Sequence, residues 1–381
     1  MKFINTHHYR YCSKARCGNA HSRRQPQDAG ASSQAFPRRA WERSGAGFTQ
    51  RLPRRSAGFT LIEIMISLIV GAFLIGGVLQ IFLNTQKTYR MQENLSRIQE
   101  NGRFALEFIS RDVRMAGYLG CNANVSLVNT LTAAFLHSFD KAIEGFESTS
   151  ATAWSPTINP AITSPLGGSD VITIRRVDTK GFTVASHASS TAPLTLNAAT
   201  TVNDLKAAGF LKDDGTNNNR IAVVSDCTDA AIFQVTGITG LVLSHGKDLG
   251  KRYSNSQVYG INTISYYIRT NPNNTPSLYK RVGAATAEEL IEGIENMQLL
   301  YGVDTDSDNV ANYYVKANNV ESNGMWPNVI SVKVKLLVVS PDDNLTVQPV
   351  KYKFDGNWYT PTDRKIRREF SSTIVLRNRL S

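Results

Sequence analysis

The distribution of apolar positions marks one segment of the chain as a membrane helix. Residues 59–83 form a run of 25 residues that carries a single charge, Glu63. At about 1.5 Å per residue, a helix of this length exceeds the ~30 Å hydrocarbon thickness of a bilayer. The pattern therefore predicts a transmembrane helix over residues 59–83.

The next segment, residues 84–117, has the pattern of an amphipathic helix. Charged pairs at i,i+4 spacing, Glu93–Arg97 and Glu107–Arg111, support the same assignment, and Gly117 is a plausible end. We therefore expect a nearly continuous helix over residues 59–116. Its apolar positions recur at steps of three and four, at Leu95, Ile98, Gly102, Ala105, Ile109, Val113 and Ala116.

Beyond residue 117, short strand-like runs alternate with loops rich in Ser, Thr, Asn, Gly and Pro. No alternation of strands with long helical patterns is present, so the fold class predicted is α+β with an antiparallel sheet. Residues 118–381 would form a β-rich globular head. The clearest strand signals are residues 171–177, 221–225, 232–235, 260–269, 330–340 and 370–376.

The distribution of net charge along the chain distinguishes a fourth segment, a basic leader at residues 1–58. The whole chain carries +11, and the leader contains twelve basic and two acidic residues, so it accounts for +10. It lacks hydrophobic periodicity and is expected to be disordered. Basic residues before a transmembrane helix hold that end in the cytoplasm, which would export the head. The nearly neutral remainder argues against nucleic acid as a partner.

Two ordinary explanations of the apolar run fit poorly. A secretory signal peptide has its small residues after a shorter apolar core, whereas Ser56, Ala57 and Gly58 precede this one. A plain membrane anchor leaves Glu63 unexplained, because a carboxylate within a span costs a few kcal/mol (about 2.5–3.5 on translocon scales) and indicates a function.

Residues 54–63, RRSAGFTLIE, resemble the signal of type IV pilins and type II secretion pseudopilins. The resemblance implies cleavage between Gly58 and Phe59 by prepilin peptidase and N-methylation of Phe59. Cleavage would remove the leader and create an α-ammonium one helical turn from Glu63. Pairing of these charges, within or between subunits, would neutralise two groups that are costly in hydrocarbon, which gives Glu63 a role in assembly.

Three further segments are similar to minor pilins of the PilW type: residues 114–121, 293–308 and 370–379. This resemblance implies an inner-membrane protein with a periplasmic head that later joins the tip or priming complex of a type IV pilus. The implied partners are major and other minor pilins, the inner-membrane assembly platform, a PilY-type tip adhesin and the lipid bilayer. A J-type pseudopilin is the close alternative, and a DNA-capturing pilin is the more distant one.

Cys121 and Cys227 are the cysteines that remain after cleavage. An oxidising periplasm favours a disulfide between them, which would contribute about 2–4 kcal/mol of stability. Two buried free thiols are the alternative.

Asp304, Asp306 and Asp308 have the alternating spacing of a calcium loop, but Asn309 and Val315 replace the Gly and Glu that an EF-hand requires. A polar turn without an ion is the favoured interpretation, and Ca²⁺ is the only cofactor considered. The exported histidines, His137, His187 and His245, show no metal or catalytic spacing. We therefore predict no enzymatic activity.

Overall fold

The computed structural model describes residues 58–120, 125–132, 134–139 and 141–379. Residues from Ser67 onward form one structural unit, and the residues up to Ile66 belong to another. The predicted α+β class with a long N-terminal helix is confirmed. The leader and Cys121 lie outside the described residues.

The described part contains three α-helices and seventeen strands, numbered in chain order. The helices are α1 Leu61–Arg114, α2 Val202–Ala207 and α3 Ala317–Ser322. The strands are β1 Ser126–Asn129, β2 Ile143–Ser148, β3 Trp154–Ser155, β4 Val171–His187, β5 Leu194–Leu196, β6 Ile221–Ser225, β7 Asp229–Thr239, β8 Val242–His245, β9 Gln257–Thr270, β10 Pro276–Val282, β11 Glu288–Glu292, β12 Ile294–Val303, β13 Tyr313–Val315, β14 Val329–Val339, β15 Tyr352–Phe354, β16 Asn357–Tyr359 and β17 Arg367–Val375.

Helix α1 closely matches the helix that the sequence predicts. Local features of the sequence explain where it begins and where it ends. The Thr60 side chain accepts a hydrogen bond from the backbone N–H of Glu63 (3.3 Å), so the helix begins at Leu61 rather than Phe59. Gly117 has φ +72°, a conformation that ends helices and that favours glycine. The predicted pair Glu93–Arg97 forms at 2.8 Å.

The prediction of an ion pair between Glu107 and Arg111 was wrong. Among the described residues, neither side chain forms an ion pair. Both side chains are exposed, and an exposed pair gains too little to fix two long side chains. The predicted apolar face of the helix is buried, except for Leu95, which is half-buried.

The strands divide into a large sheet, a four-stranded sheet and a hairpin. The four-stranded sheet has the order β13-β12-β14-β17, and β15 pairs with β16 in the hairpin. Helix α1 shares one hydrophobic core with this sheet, since Ile98, Ala105 and Ile109 pack in the same cluster as Val334 and Ile374. Gly102 lets helix α1 approach β17 closely, because a Cβ at this position would lie 2.6 Å from the Phe370 ring.

The large sheet closes partly on itself. Its order β11-β10-β9-β6-β7-β8-β5-β4-β2-β3 includes an additional β9–β4 pairing, so six strands from β9 to β4 complete a ring. Strand β4 makes this possible because residues 172–183 pair with β9, whereas its last residues, 184–187, pair with β5. A separate apolar cluster that includes Phe182, Phe210 and Phe233 fills this region. The pair β1–β7 is parallel, a departure from the predicted antiparallel sheet.

The chain's last described residues return to the end of helix α1. The side-chain amide of Asn378 donates to the carbonyl of Ala116 (3.4 Å), and Arg379 Nη1 donates to the carbonyl of Pro327 (2.8 Å). Carbonyls at a helix C-terminus have no partner within the helix. The C-terminal segment therefore caps the helix and ties it to the head.

Candidate functional site

The predicted cleavage junction lies immediately before the first turn of α1. Gly58, Phe59 and Thr60 have no regular secondary structure and are exposed, Phe59 by 77%. A peptidase binds its substrate as non-helical backbone, and a Cβ on Gly58 would meet nothing within 4 Å. The local geometry is therefore compatible with cleavage after Gly58.

Glu63 lies in the first turn of α1, where the helix dipole favours a carboxylate. Its backbone N–H donates to both the carbonyl (3.1 Å) and the hydroxyl of Thr60. Thr60 and Glu63 have the Thr-x-x-Glu spacing of a capping box, a helix-start signal that is present in the sequence itself. Glu63 can therefore support the start of the helix as well as pair with an ammonium group.

The membrane-directed part of α1 presents its apolar side chains outward. Among the described residues, α1 is the helix that is long and apolar enough to cross a bilayer. No residue of its most apolar 18-residue stretch is buried. Such exposure is unfavourable in water and favourable in hydrocarbon. A single candidate span is consistent with a membrane-anchored protein.

The head-directed part of α1 carries a buried charged group that the sequence analysis missed. Asp112 is 2% exposed, and one of its oxygens lies 2.9 Å from the Arg176 guanidinium. Its other oxygen accepts hydrogen bonds from Tyr266 Oη (2.6 Å) and Lys280 Nζ (3.0 Å). These partners come from β4, β9 and β10, so one carboxylate fixes the helix to three strands.

The ionisation of Asp112 follows from these contacts. Burial alone would raise the pKa of its carboxyl, but the Tyr266 hydrogen bond and the charges of Arg176 and Lys280 outweigh burial and lower it. Asp112 is therefore ionised at neutral pH, and its negative charge holds the two cations.

The three aspartates of the predicted calcium loop lie together in the structure. Their nearest ligand oxygens are all within 4.8 Å of one another; Asp304 is buried, whereas Asp306 and Asp308 are exposed. Asp304 already accepts backbone hydrogen bonds from Asp306, Ser307 and Asn309 at 2.7–3.2 Å. These bonds stabilise a polar turn without an ion, and they lower the pKa of Asp304 although its burial opposes the shift.

Cys227 is disulfide-bonded. It has φ +73° and precedes Thr228, whose carbonyl accepts a hydrogen bond from the N–H of Ser126 (3.2 Å). Because Cys121 lies outside the described residues, its predicted pairing with Cys227 stays a prediction.

Two of the three histidines that show no metal or catalytic spacing in the sequence are neighbours in the fold. The rings of His187 and His245 are 5.8 Å apart, and Nε2 of each lies within 2.9 Å of the Ala192 carbonyl oxygen. Burial lowers the pKa of His187. Both side chains are bound to backbone groups, so they fasten loops rather than form a ligand set.

Comparison with known families gives two matches. The family model described as Type IV Pilus-assembly protein W matches residues 265–378. The model described as Prokaryotic N-terminal methylation motif matches residues 53–79. No curated protein and no solved structure matches the chain.

The two matches confirm the resemblance to a type IV pilin of the PilW type. They cover the start of α1 and the region from β9 to the C-terminal cap, and both families are structural components of pilus assembly rather than enzymes. The protein therefore has a minor-pilin-like role, and the methylation motif implies interaction with prepilin peptidase and with pilus components.

Proposed function

We propose that this protein is a minor pilin that prepilin peptidase cleaves between Gly58 and Phe59 and methylates at Phe59. Before assembly it would lie in the inner membrane with its N-terminus in the cytoplasm and its head in the periplasm. It would then join the priming or tip complex of a type IV pilus. One observation carries the proposal: the methylation motif contains an exposed junction directly before a helix whose apolar half can enter a bilayer.

Mass spectrometry of sheared pili tests processing and incorporation together. We expect a peptide that begins with N-methylated Phe59. A chain that retains residues before Phe59 in pili, or that is absent from pili while it is abundant in membranes, would contradict the proposal. Deletion of the gene should reduce piliation; a defect confined to protein secretion would instead support the pseudopilin alternative.

The role of Glu63 needs a test that separates charge from helix capping. Glu63→Gln keeps a residue that completes a capping box but removes the carboxylate that would pair with the Phe59 ammonium. We expect this variant to be processed normally and to enter pili poorly, because the new ammonium would be left without its counter-charge. Thr60→Ala is the matched control, since it removes the hydroxyl cap and keeps the charge. Normal incorporation of Glu63→Gln would refute the charge-pairing role.

We also propose that Cys121 is the disulfide partner of Cys227. The support comes from both sides of residues 121–124. Gly120 lies against the ring of Tyr259, which pairs with Val223 on β6, and Ser126 bonds to the residue after Cys227. Both flanks of Cys121 therefore approach the turn that holds Cys227. Peptide mapping without reductant should recover one linked pair of peptides, and two alkylatable thiols in the processed protein would refute the pairing.

For the loop of Asp304, Asp306 and Asp308, a polar turn is the proposed state and calcium binding is the second candidate. Convergence of three carboxylates favours the ion. The backbone hydrogen bonds that already occupy Asp304 favour the turn.

A further inference from the structure

A cleft on the head combines an aromatic wall with a polar wall. We call it the tyrosine cleft; its volume is about 270 Å³. The hairpin β15–β16 supplies one side, and β12, the end of β2 and the start of α3 supply the other. Its lining includes Glu147, Gln298, Lys316, Tyr352, Asp355 and Tyr359.

The aromatic wall is a stack of two tyrosines. Tyr352 and Tyr359 are opposite each other in the hairpin, with ring centroids 5.5 Å apart and planes inclined by 16°. The Arg367 guanidinium lies 5.2 Å from the centre of the Tyr352 ring and helps to hold it. Tyr359 is 42% exposed, so the wall offers a firmly placed aromatic ring to a ligand.

The polar wall offers hydrogen-bond acceptors that the described residues leave unused. Gln298 donates through Nε2 to the Gly168 carbonyl (2.8 Å) and to Asn296 (2.9 Å), which orients its side-chain oxygen. Glu147 is only 5% exposed, and its Oε2 has no hydrogen-bond partner within the described part of the chain. A buried carboxylate oxygen without a donor is unfavourable, and the Lys316 ammonium beside the other oxygen of Glu147 offsets part of this cost.

The charges of the cleft balance. Lys316 Nζ lies 2.5 Å from Glu147 Oε1, and Lys335 Nζ lies 2.5 Å from Asp355, the other carboxylate of the lining. Neither an anion nor a cation would find an uncompensated partner among these groups. An uncharged ligand with several hydroxyl groups fits this arrangement best.

We propose that the tyrosine cleft binds a neutral saccharide, one pyranose ring at a time. The apolar C–H face of a pyranose packs on an aromatic ring, and its hydroxyls can donate to Gln298 while Lys316 donates to them. The cleft is smaller than the range typical of drug-sized ligands, about 300–1,000 Å³, which suits a single ring. The site is separate from the processing motif and from Glu63, so it adds a recognition function to the head.

The test uses the full chain in a detergent without a sugar headgroup, such as lauryldimethylamine oxide. Saturation-transfer NMR would be recorded with methyl glycosides of glucose, galactose and mannose, with N-acetylglucosamine, and with glucuronic acid as a charged sugar. We expect transfer to at least one neutral sugar and none to glucuronic acid. A preference for N-acetylglucosamine would indicate a cell-wall type of glycan, and a preference for a plain hexoside would indicate another surface glycan.

Matched variants of the hairpin separate the cleft from adventitious binding. Tyr359→Ala should weaken binding at least tenfold, and Tyr359→Phe should keep it within about threefold because the ring remains. Trp358→Ala is the control: Trp358 is 70% exposed and its side chain points to the opposite face of the strand. Absence of transfer to every neutral sugar, or equal signals from Tyr359→Ala and Trp358→Ala, would overturn the proposal. Unchanged melting temperatures of the variants would show that each one folds.

Discussion

One carboxylate, that of Asp112, adds a charged attachment of helix α1 to the head beside their shared apolar core. Replacement by Asn keeps the shape of the side chain and removes the charge. Arg176 and Lys280 would then lie against a neutral group, although their side chains are only 16% and 25% exposed. We expect the head to lose stability because two partly buried cations lose their counter-charge.

The magnitude follows from the burial of the three groups. Removal of one partner from a buried ion pair typically costs about 3–5 kcal/mol. Asp112 is almost fully buried, but both cations retain some access to water, so the lower end of that range applies. We therefore expect Asp112→Asn to lower the free energy of unfolding by about 3 kcal/mol.

Urea denaturation of the full chain in detergent micelles, followed by tryptophan fluorescence, measures this change. Trp326 is a suitable reporter because it packs edge-on against Tyr301, 5.1 Å between centroids, in the same core as α1. Glu93→Gln is the control on the same helix, since it breaks only the exposed pair with Arg97, worth about 0.3–0.5 kcal/mol.

The pH dependence of the free energy of unfolding provides an independent check on the contribution of Asp112. The folded-state pKa of Asp112 is lowered, so its contribution is present above the ordinary carboxyl pKa and is lost as pH falls through the lowered value. The difference between wild type and Asp112→Asn should therefore be constant near neutrality and shrink below about pH 4. A loss under about 1 kcal/mol at pH 7, or a difference unchanged down to pH 2, would refute the reasoning.

Three further predictions concern helix α1 and the head. Gly102→Ala would place a methyl group 2.6 Å from the Phe370 ring and should cost about 1–3 kcal/mol in chemical denaturation, despite the better helix propensity of Ala; a stabilised variant would contradict this packing. Burial and the charge of Glu147 raise the pKa of Asp170 to about 8, so stability should fall as pH rises from about 4 to 8, and Asp170→Asn should flatten that slope. If the aspartate loop binds calcium, millimolar Ca²⁺ should raise the melting temperature of wild type and not of Asp306→Ala, whereas equal curves would leave the polar turn as its function.

Local sequence patterns predicted the regular elements well, because each depends on neighbours in the chain. The apolar face of α1 and strands such as β6 and β14 follow from periodicity alone, and Gly117 marks the helix end through its own backbone preference. The loops were less informative. Segments that the sequence pattern assigned to loops contribute β5, α2 and part of the six-stranded ring, since short strands stabilised by distant partners leave little local signal.

The candidate functional sites also differ in how much of each could be predicted from local sequence. The cleavage junction and Glu63 are contiguous in sequence, so a motif describes them. The tyrosine cleft and the Asp112 cluster unite residues more than 60 positions apart, as with Asp112 and Arg176, and no spacing rule links them.

The sequence by itself determined the processing motif, the membrane-spanning length of the first helix, the nearly neutral charge of residues 59–381 and the α+β class. Each of these properties follows from the charges, the apolar length or the hydrophobic periodicity of one continuous stretch of the chain. Only the tertiary structure decided which buried charges hold the helix, how β4 pairs with both β9 and β5 to close the ring, and which polar residues lie beside the two tyrosines. The reason is physical: the favourable energy of a buried ion pair or a stacked ring arises from partners that folding brings together from distant parts of the chain.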